Sequence, residues 1–405
     1  MIPNTNKINS EQTICYYFDL WDSTTGGFRF AKHQPATLMA TSYAVLGLEF
    51  IRGLSKLTDG QTDKIINFLM AGMQKDGSFE DPLFCFEDIL SQSHDITYFQ
   101  QETTTFCQQA LDALDAPPPK PKDFGAENWD SPEGLISYFE SFSWKSPWLD
   151  SNRVMFALSQ LCHDVERHKR LELLHIVDAA LDWLDNHQSP ETGLWKGPYP
   201  VSLENAMAAT FHFTFYYFYR KRALPYIEPM IDSCLRLQEK HGLFSRDKIG
   251  HTCLDYDALD LLAKASLLTN YKEKQIRGTM KKAATSILQL YNQDGGFSHC
   301  KEKIVTPSKI YRLIRKLKLE RYIKFNFRIM AQGNYSVCWK LLSCNTQESN
   351  AFSTWLRLLA LALADQSNFS NTISSNKKLL FRRLPFLGYH YKILDGLADT
   401  LIKKN

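Results

Sequence analysis

KDGSFEDP (residues 75–82) and QDGGFSHC (residues 293–300) share one pattern: a glycine, one further residue, then an aromatic ring. The pattern recurs in DSTTGGFRF (22–30), ETGLWKGPYP (191–200) and KHGLFSRD (240–247). The glycine supplies a backbone conformation that other residues adopt at a cost, and the Phe or Trp can plug the turn against a core. Five such turns, spaced along most of the chain, mark an internal repeat.

Each turn is followed by an apolar run: ATSYAVLGLEFI, TTTFCQQALDAL, ENAMAATFHFTFYYF, LDYDALDLLAKA and SNAFSTWLRLLALALA. Most are preceded by another, such as IINFLMAGMQ, VDAALDWLDNHQ, IEPMIDSCLRLQ and MKKAATSILQLYNQ. Apolar residues fall three and four apart, the helical period, and no comparable alternating stretch announces strands. Residues 133–162 read as a degenerate sixth pair, with Trp144 and Trp148 in a turn that lacks glycine. The expectation is all-α: one domain over residues 1–405, a closed (α/α)6 toroid of six helical hairpins, its inner helices following the turns. APPPKPKD (116–123) is the only linker-like stretch outside this plan.

Composition agrees. The chain has 405 residues, 44% hydrophobic and 22% charged, which suits a large packed core. A net charge of +3 argues against a wholesale polyanion binder. The first residues show no basic start leading into an apolar run, and nine cysteines without CxxC pairs suit reduced thiols, so a cytoplasmic protein is expected.

The DGGF-type turn, with Gln74, Gln238 and Gln293 at the ends of preceding helices, resembles the repeats of the terpenoid cyclase and protein prenyltransferase superfamily. That resemblance implies an α/α toroid over nearly the whole chain. The fifth repeat carries GHTCLDYDALDLLAKAS, in which Asp257 lies fifteen residues after Gly242, as Thr41 lies fifteen after Gly26. Asp255-Tyr256-Asp257 resembles a shortened DxDD motif of class II terpene cyclases, with Ala258 in place of its last acid. The resemblance implies that Asp257 protonates an isoprenoid, with Asp255 as partner, Asp260 a partial substitute for the missing acid, and His251 or His212 to orient it. Phe211, Phe213, Phe215, Tyr216, Tyr217, Tyr256, Trp195 and Trp355 offer aromatic faces for a carbocation. The competing reading is that these acids cap the helix and the aromatic run simply fills the core.

No cofactor is expected, with zinc or magnesium as the alternative: His251, Cys253, Asp255, His299 and Cys300 are ligand types, but no motif fixes their spacing. Two other functions stay open. One is a carbohydrate-active barrel using Asp257 with Asp95 or Glu102, and Trp195 or Trp148 as sugar platforms. The other is a toroid that carries a lipid or peptide without chemistry.

A basic insertion interrupts the last repeat at residues 301–332. From Lys301 to Arg328 it has ten Lys/Arg against Glu302 and Glu320, a local +8. Lys309 to Arg328 reads as an amphipathic helix suited to peripheral contact with the inner membrane face. KKLLFRRLPFLGYHYKIL (377–394) would extend it as a lipid-facing rim. Neither segment carries a nucleic-acid-reading module.

Overall fold

The computed structural model describes residues 8–89, 95–116, 129–245, 250–300, 334–364, 373–374 and 381–389. The basic insertion at 301–332 lies outside them, as do most of the proline-rich stretch and the parts of 377–394 beyond 381–389.

Twelve α-helices occur among the described residues: α1 Ser10–Leu20, α2 Leu38–Phe50, α3 Asp59–Met70, α4 Ile96–Ala113, α5 Pro132–Glu140, α6 Pro147–His168, α7 Leu174–His187, α8 Leu203–Tyr219, α9 Ile227–Leu237, α10 Thr252–Ala265, α11 Glu273–Leu288 and α12 Ala351–Ala364. Burial alternates along this order. Nearly every residue of α2, α8, α10 and α12 is buried, whereas α3, α7, α9 and α11 bury one stripe. A helix that is apolar all round needs neighbours on every side, and a striped helix belongs at the rim. The even-numbered helices accordingly pack side by side, α2 on α4, then α6, α8, α10 and α12, and α12 returns to α2. The protein is an all-α toroid with six inner helices, each following its turn.

The five turns share one hydrogen-bonding scheme. The residue entering the turn donates its N–H to the carbonyl just before the aromatic ring: Asp22 to Gly27, Gln74 to Ser78, Ser189 to Leu194, Glu239 to Leu243 and Asn292 to Gly296, all 2.8–3.1 Å. Gly26, Gly77, Gly193, Gly242 and Gly295 hold positive φ angles of 65–98°. Contact with the next outer helix adds a second demand. A Cβ on Gly193 would stand 2.3 Å from the Met230 nitrogen of α9, and one on Gly295 would stand 2.4 Å from the Gln12 carbonyl of α1. The last turn therefore seats on the first helix, closing the outer layer. In the third hairpin Trp144 itself takes positive φ, at 50°, and its indole donates to the Phe139 carbonyl. Trp148 lies in the first turn of α6 rather than in the loop.

The glutamine alignment needs correction. Gln188 and Gln238 occupy one equivalent position, each bridging its own turn glycine carbonyl to the neighbouring repeat, at Pro225 and Thr279 respectively. Met73 and Tyr291 hold that position in the second and sixth turns, with Gln74 and Gln293 displaced beyond it.

Small elements close the two ends. Strands β2 (Asn334–Ser336) and β3 (Ser343–Asn345) form an antiparallel hairpin over the turn end, where Tyr335 stacks on His299 and Trp339 packs near Phe84. Two-residue strands β1 (Ile8–Asn9) and β4 (Ile373–Ser374) pair in parallel. Residues 381–389 enter from the opposite end. Phe386 meets Phe106 edge-on at 5.0 Å, the Gly388 N–H donates to the Tyr256 hydroxyl, and Arg382 reaches Glu49, Gln109 and Asp112. This part of the second basic stretch therefore plugs the barrel instead of forming a lipid-facing rim. No helix among the described residues is long and apolar enough to cross a membrane.

Gly295→Ala should destabilise the chain by about 1–3 kcal/mol, since it adds left-handed strain to a clash with backbone. Urea denaturation of the purified variant reads this directly, and an unchanged midpoint would contradict the seating of this turn on α1.

Candidate functional site

Where each turn runs into its inner helix, the aromatic N–H is buried and must find an acceptor. In four repeats a threonine hydroxyl provides it: Phe28 donates to Thr41, Phe79 to Thr104, Trp195 to Thr210 and Phe297 to Thr354, at 2.8–3.1 Å. In the fifth repeat Phe244 donates instead to Oδ1 of Asp255, at 2.7 Å. Asp255, not Asp257, is thus the equivalent of Thr41, and counting from the glycine misplaces the register by two residues. A hydroxyl both accepts and donates, whereas a carboxylate brings a buried charge that needs a partner. That partner is Arg357 of α12, whose Nη1 lies 2.6 Å from Asp255 Oδ2 with both side chains fully buried. The same oxygen accepts the N–H of His251, and Arg357 also donates to the His299 carbonyl. Asp255 therefore locks the start of α10 to α12, and the capping role weighed from the sequence belongs to this residue.

Asp260 has a different partner. It pairs with Lys264 one helical turn along α10, both fully buried. The Lys264 ammonium also lies 4.3 Å from the Phe215 ring and within 5.9 Å of Phe211. Burial lowers the Lys264 pKa, and Asp260 acts against that fall.

Asp257 pairs with no cation among the described residues. It is buried, and its Oδ2 has no hydrogen-bond partner among the described residues. Burial pushes its carboxyl well above the usual carboxylate range, and the negative neighbours Asp260 and Asp255 push the same way. Facing the axis from the opposite side of the ring is Glu102 of α4, one helical turn from Phe106. Burial alone raises its pKa from 4.5 to about 8. Burial raises the thiol pKa of Cys253 and of Cys338, and the nearby acids, Asp257 at Cys253 and Glu102 at Cys338, raise them further. Both residues are partly exposed.

Aromatic rings build the rest of this region. Tyr43 packs on Phe106, Phe352 and Trp355 at 4.8–6.3 Å, and Phe106 joins Phe386 of the plug. Across the turn end runs a row of rings, Tyr335 on His299 at 3.7 Å, His299 on His251 at 4.6 Å and His251 on Trp148 at 5.6 Å. His251 binds Asp255 through its backbone rather than its ring, and burial pulls its imidazole down to about 4. His212 bonds Ser151 and, by burial, falls to about 3. Neither imidazole has a hydrogen bond to Asp257 among the described residues.

Of the predicted aromatic contacts, Trp355 and Tyr256 reach toward the axis. Phe211 lies edge-on to Tyr256 at 5.2 Å and Phe215 sits against Lys264, between α8 and α10. Trp195 points the other way: its indole donates to the Leu184 carbonyl of outer helix α7, which removes it from the axis. Asp95 is likewise misplaced for chemistry, since it caps α4 through the Tyr98 N–H and pairs with Arg153 at an exposed position. His251, Cys253, Asp255, His299 and Cys300 do not bring ligand atoms together at one point. The sequence reading missed Arg357, although it is the lone charge in SNAFSTWLRLLALALA, and Lys264, although it stands four residues after Asp260.

The sequence profile of the prenyltransferase alpha-alpha toroid domain matches residues 2–99 and 155–305. No curated protein matches the chain. A crystal structure of a protein from Actinoplanes is similar over 88% of this chain and 98% of its own, with 12% identity and a TM-score of 0.45.

Arg357→Leu leaves Asp255 as an unpaired buried charge and should cost about 3–5 kcal/mol. Combining it with Asp255→Thr restores the latch used by the other repeats and should recover most of that loss in urea denaturation. Glu102 carries a separate signature. Folding favours its neutral form, so its contribution to stability is fully present below 4.5 and is lost as pH rises toward about 8, at roughly 1.4 kcal/mol per pH unit. Glu102→Gln should flatten the stability profile across that window, and an unaltered slope would remove Glu102 from the buried neutral acids.

Proposed function

Because the chain belongs to the prenyltransferase alpha-alpha toroid family, we propose that it is an acid-initiated isoprenoid cyclase with Asp257 as proton donor. The observation carrying this reading is the unequal treatment of the three acids on α10. Asp255 is held by Arg357 and Asp260 by Lys264, while Asp257 lies among buried groups, pairs with no cation among the described residues and has its pKa raised well above the usual carboxylate range. A carboxyl that protonates a carbon–carbon double bond must remain neutral until substrate arrives, and burial beside like charges secures this.

In the step proposed, the Asp257 O–H bond breaks and a C–H bond forms at one alkene carbon. The π electrons supply that bond, leaving a cation at the other carbon. A second double bond attacks the cation to form the ring bond, and a neighbouring C–H proton returns to the Asp257 carboxylate. Substrate and product are isomers, and no other reactant is consumed. The faces of Tyr43, Phe106 and Trp355 stabilise positive charge without offering a nucleophile, and the two closed ends of the barrel keep water from quenching it. Sugar hydrolysis has less support, because it needs one ionised carboxylate beside one neutral acid, whereas burial holds both Asp257 and Glu102 neutral.

The test is incubation of the purified protein in D2O with linear isoprenoids of several lengths and their diphosphates, followed by mass spectrometry. A cyclic isomer carrying deuterium from solvent is expected. Asp257→Asn should reduce its formation at least about a hundredfold while thermal unfolding stays at or above the wild-type temperature. No product across the panel, or a product indifferent to the substitution, would overturn the assignment.

A further inference from the structure

The C-terminal end of α6 gathers His163, Asp164 and His168, with one ligand atom from each lying within 4.8 Å of the others. Among the described residues no other three His, Cys, Asp or Glu side chains converge in this way. His163 is 1% exposed, yet among the described residues neither ring nitrogen has a hydrogen-bond partner, and Nε2 of His168 also lacks one. Leaving a buried imidazole without partners is costly, so its lone pair is spare for a ligand. Burial and the neighbouring His168 hold His163 neutral, the form that coordinates. Asp164 is oriented by Gln160, whose Nε2 donates to Oδ1 at 3.1 Å, the kind of outer contact that fixes a ligating carboxylate. The carbonyl end of α6 adds partial negative charge. Three arginines stand near and oppose a cation. Arg167 is committed to Asp112, Arg382 to Glu49 and Asp112, and Arg170 is shared between Asp164 and Glu172.

We propose that His163, Asp164 and His168 form a binding site for one divalent transition ion of borderline softness, Zn2+ or Co2+. Two imidazoles and a carboxylate suit such ions, with water completing the shell. The site lies at the end of α6, separate from the acids of α10, so its existence does not depend on the proposed cyclase activity.

The experiment is titration of the purified full chain with Co2+ alone, followed by absorption, then displacement by Zn2+. Saturation at one ion per chain is expected, with ligand-field bands and no thiolate charge-transfer band, since no cysteine takes part. His168→Gln, at a partly exposed position, should weaken binding at least about tenfold with the circular dichroism spectrum unchanged. His163→Gln should do the same wherever it folds. Absence of saturation at one ion, a thiolate band, or wild-type affinity in His168→Gln would each overturn the proposal.

Discussion

A backbone N–H carried into the core by an aromatic ring must be given an acceptor, and the toroid is organised around that requirement. Each Phe or Trp at a turn anchors its loop in the core, so its own amide is buried with it. In four repeats the inner helix answers with a threonine hydroxyl, which ties one point of that helix to its turn. The fifth repeat stands apart from these four, because its acceptor is a carboxylate paired with a buried arginine.

That departure organises the centre. Replacing threonine with Asp255 introduces a buried negative charge, which draws Arg357 from α12 and ties two neighbouring inner helices together. The result places a fixed ion pair beside Asp257 without neutralising it. Lys264 plays the matching part for Asp260. Two of three closely spaced acids are thus matched with bases, and the pKa of the third is raised because ionising it would add a further negative charge to a buried site. Glu102 reaches the same condition by burial alone, from the far side of the ring.

The fold was legible because glycine and aromatic residues at a fixed spacing have a local physical cause, and helical periodicity separates buried from striped helices. The site was only half legible. The importance of the DYDALD segment could be read, but the role of Asp255 depends on Arg357, 102 residues away. Counting residues from Gly242 to Asp257 failed because the turns differ in length before their helices begin, and only the hydrogen bond from Phe244 reveals the register. Trp195 misled for a similar reason. An aromatic residue in a turn can face the axis or the outer layer, and its indole contact with Leu184 decides between them.

Closure of the ring between Gly295 and Gln12 also bears on how the protein is made. Contacts joining α1 to the sixth turn, including Thr13 with Tyr291, bridge 278 residues, and α12 must find α2 before either inner helix is covered. Contacts this distant in sequence slow folding, because the entropy of closing the loop is lost before the packing is gained. During synthesis the earlier hairpins can stack in order, yet α2 keeps one apolar face open until the final inner helix emerges. The chain therefore has a period of vulnerability to aggregation set by the order of its repeats rather than by any single weak contact.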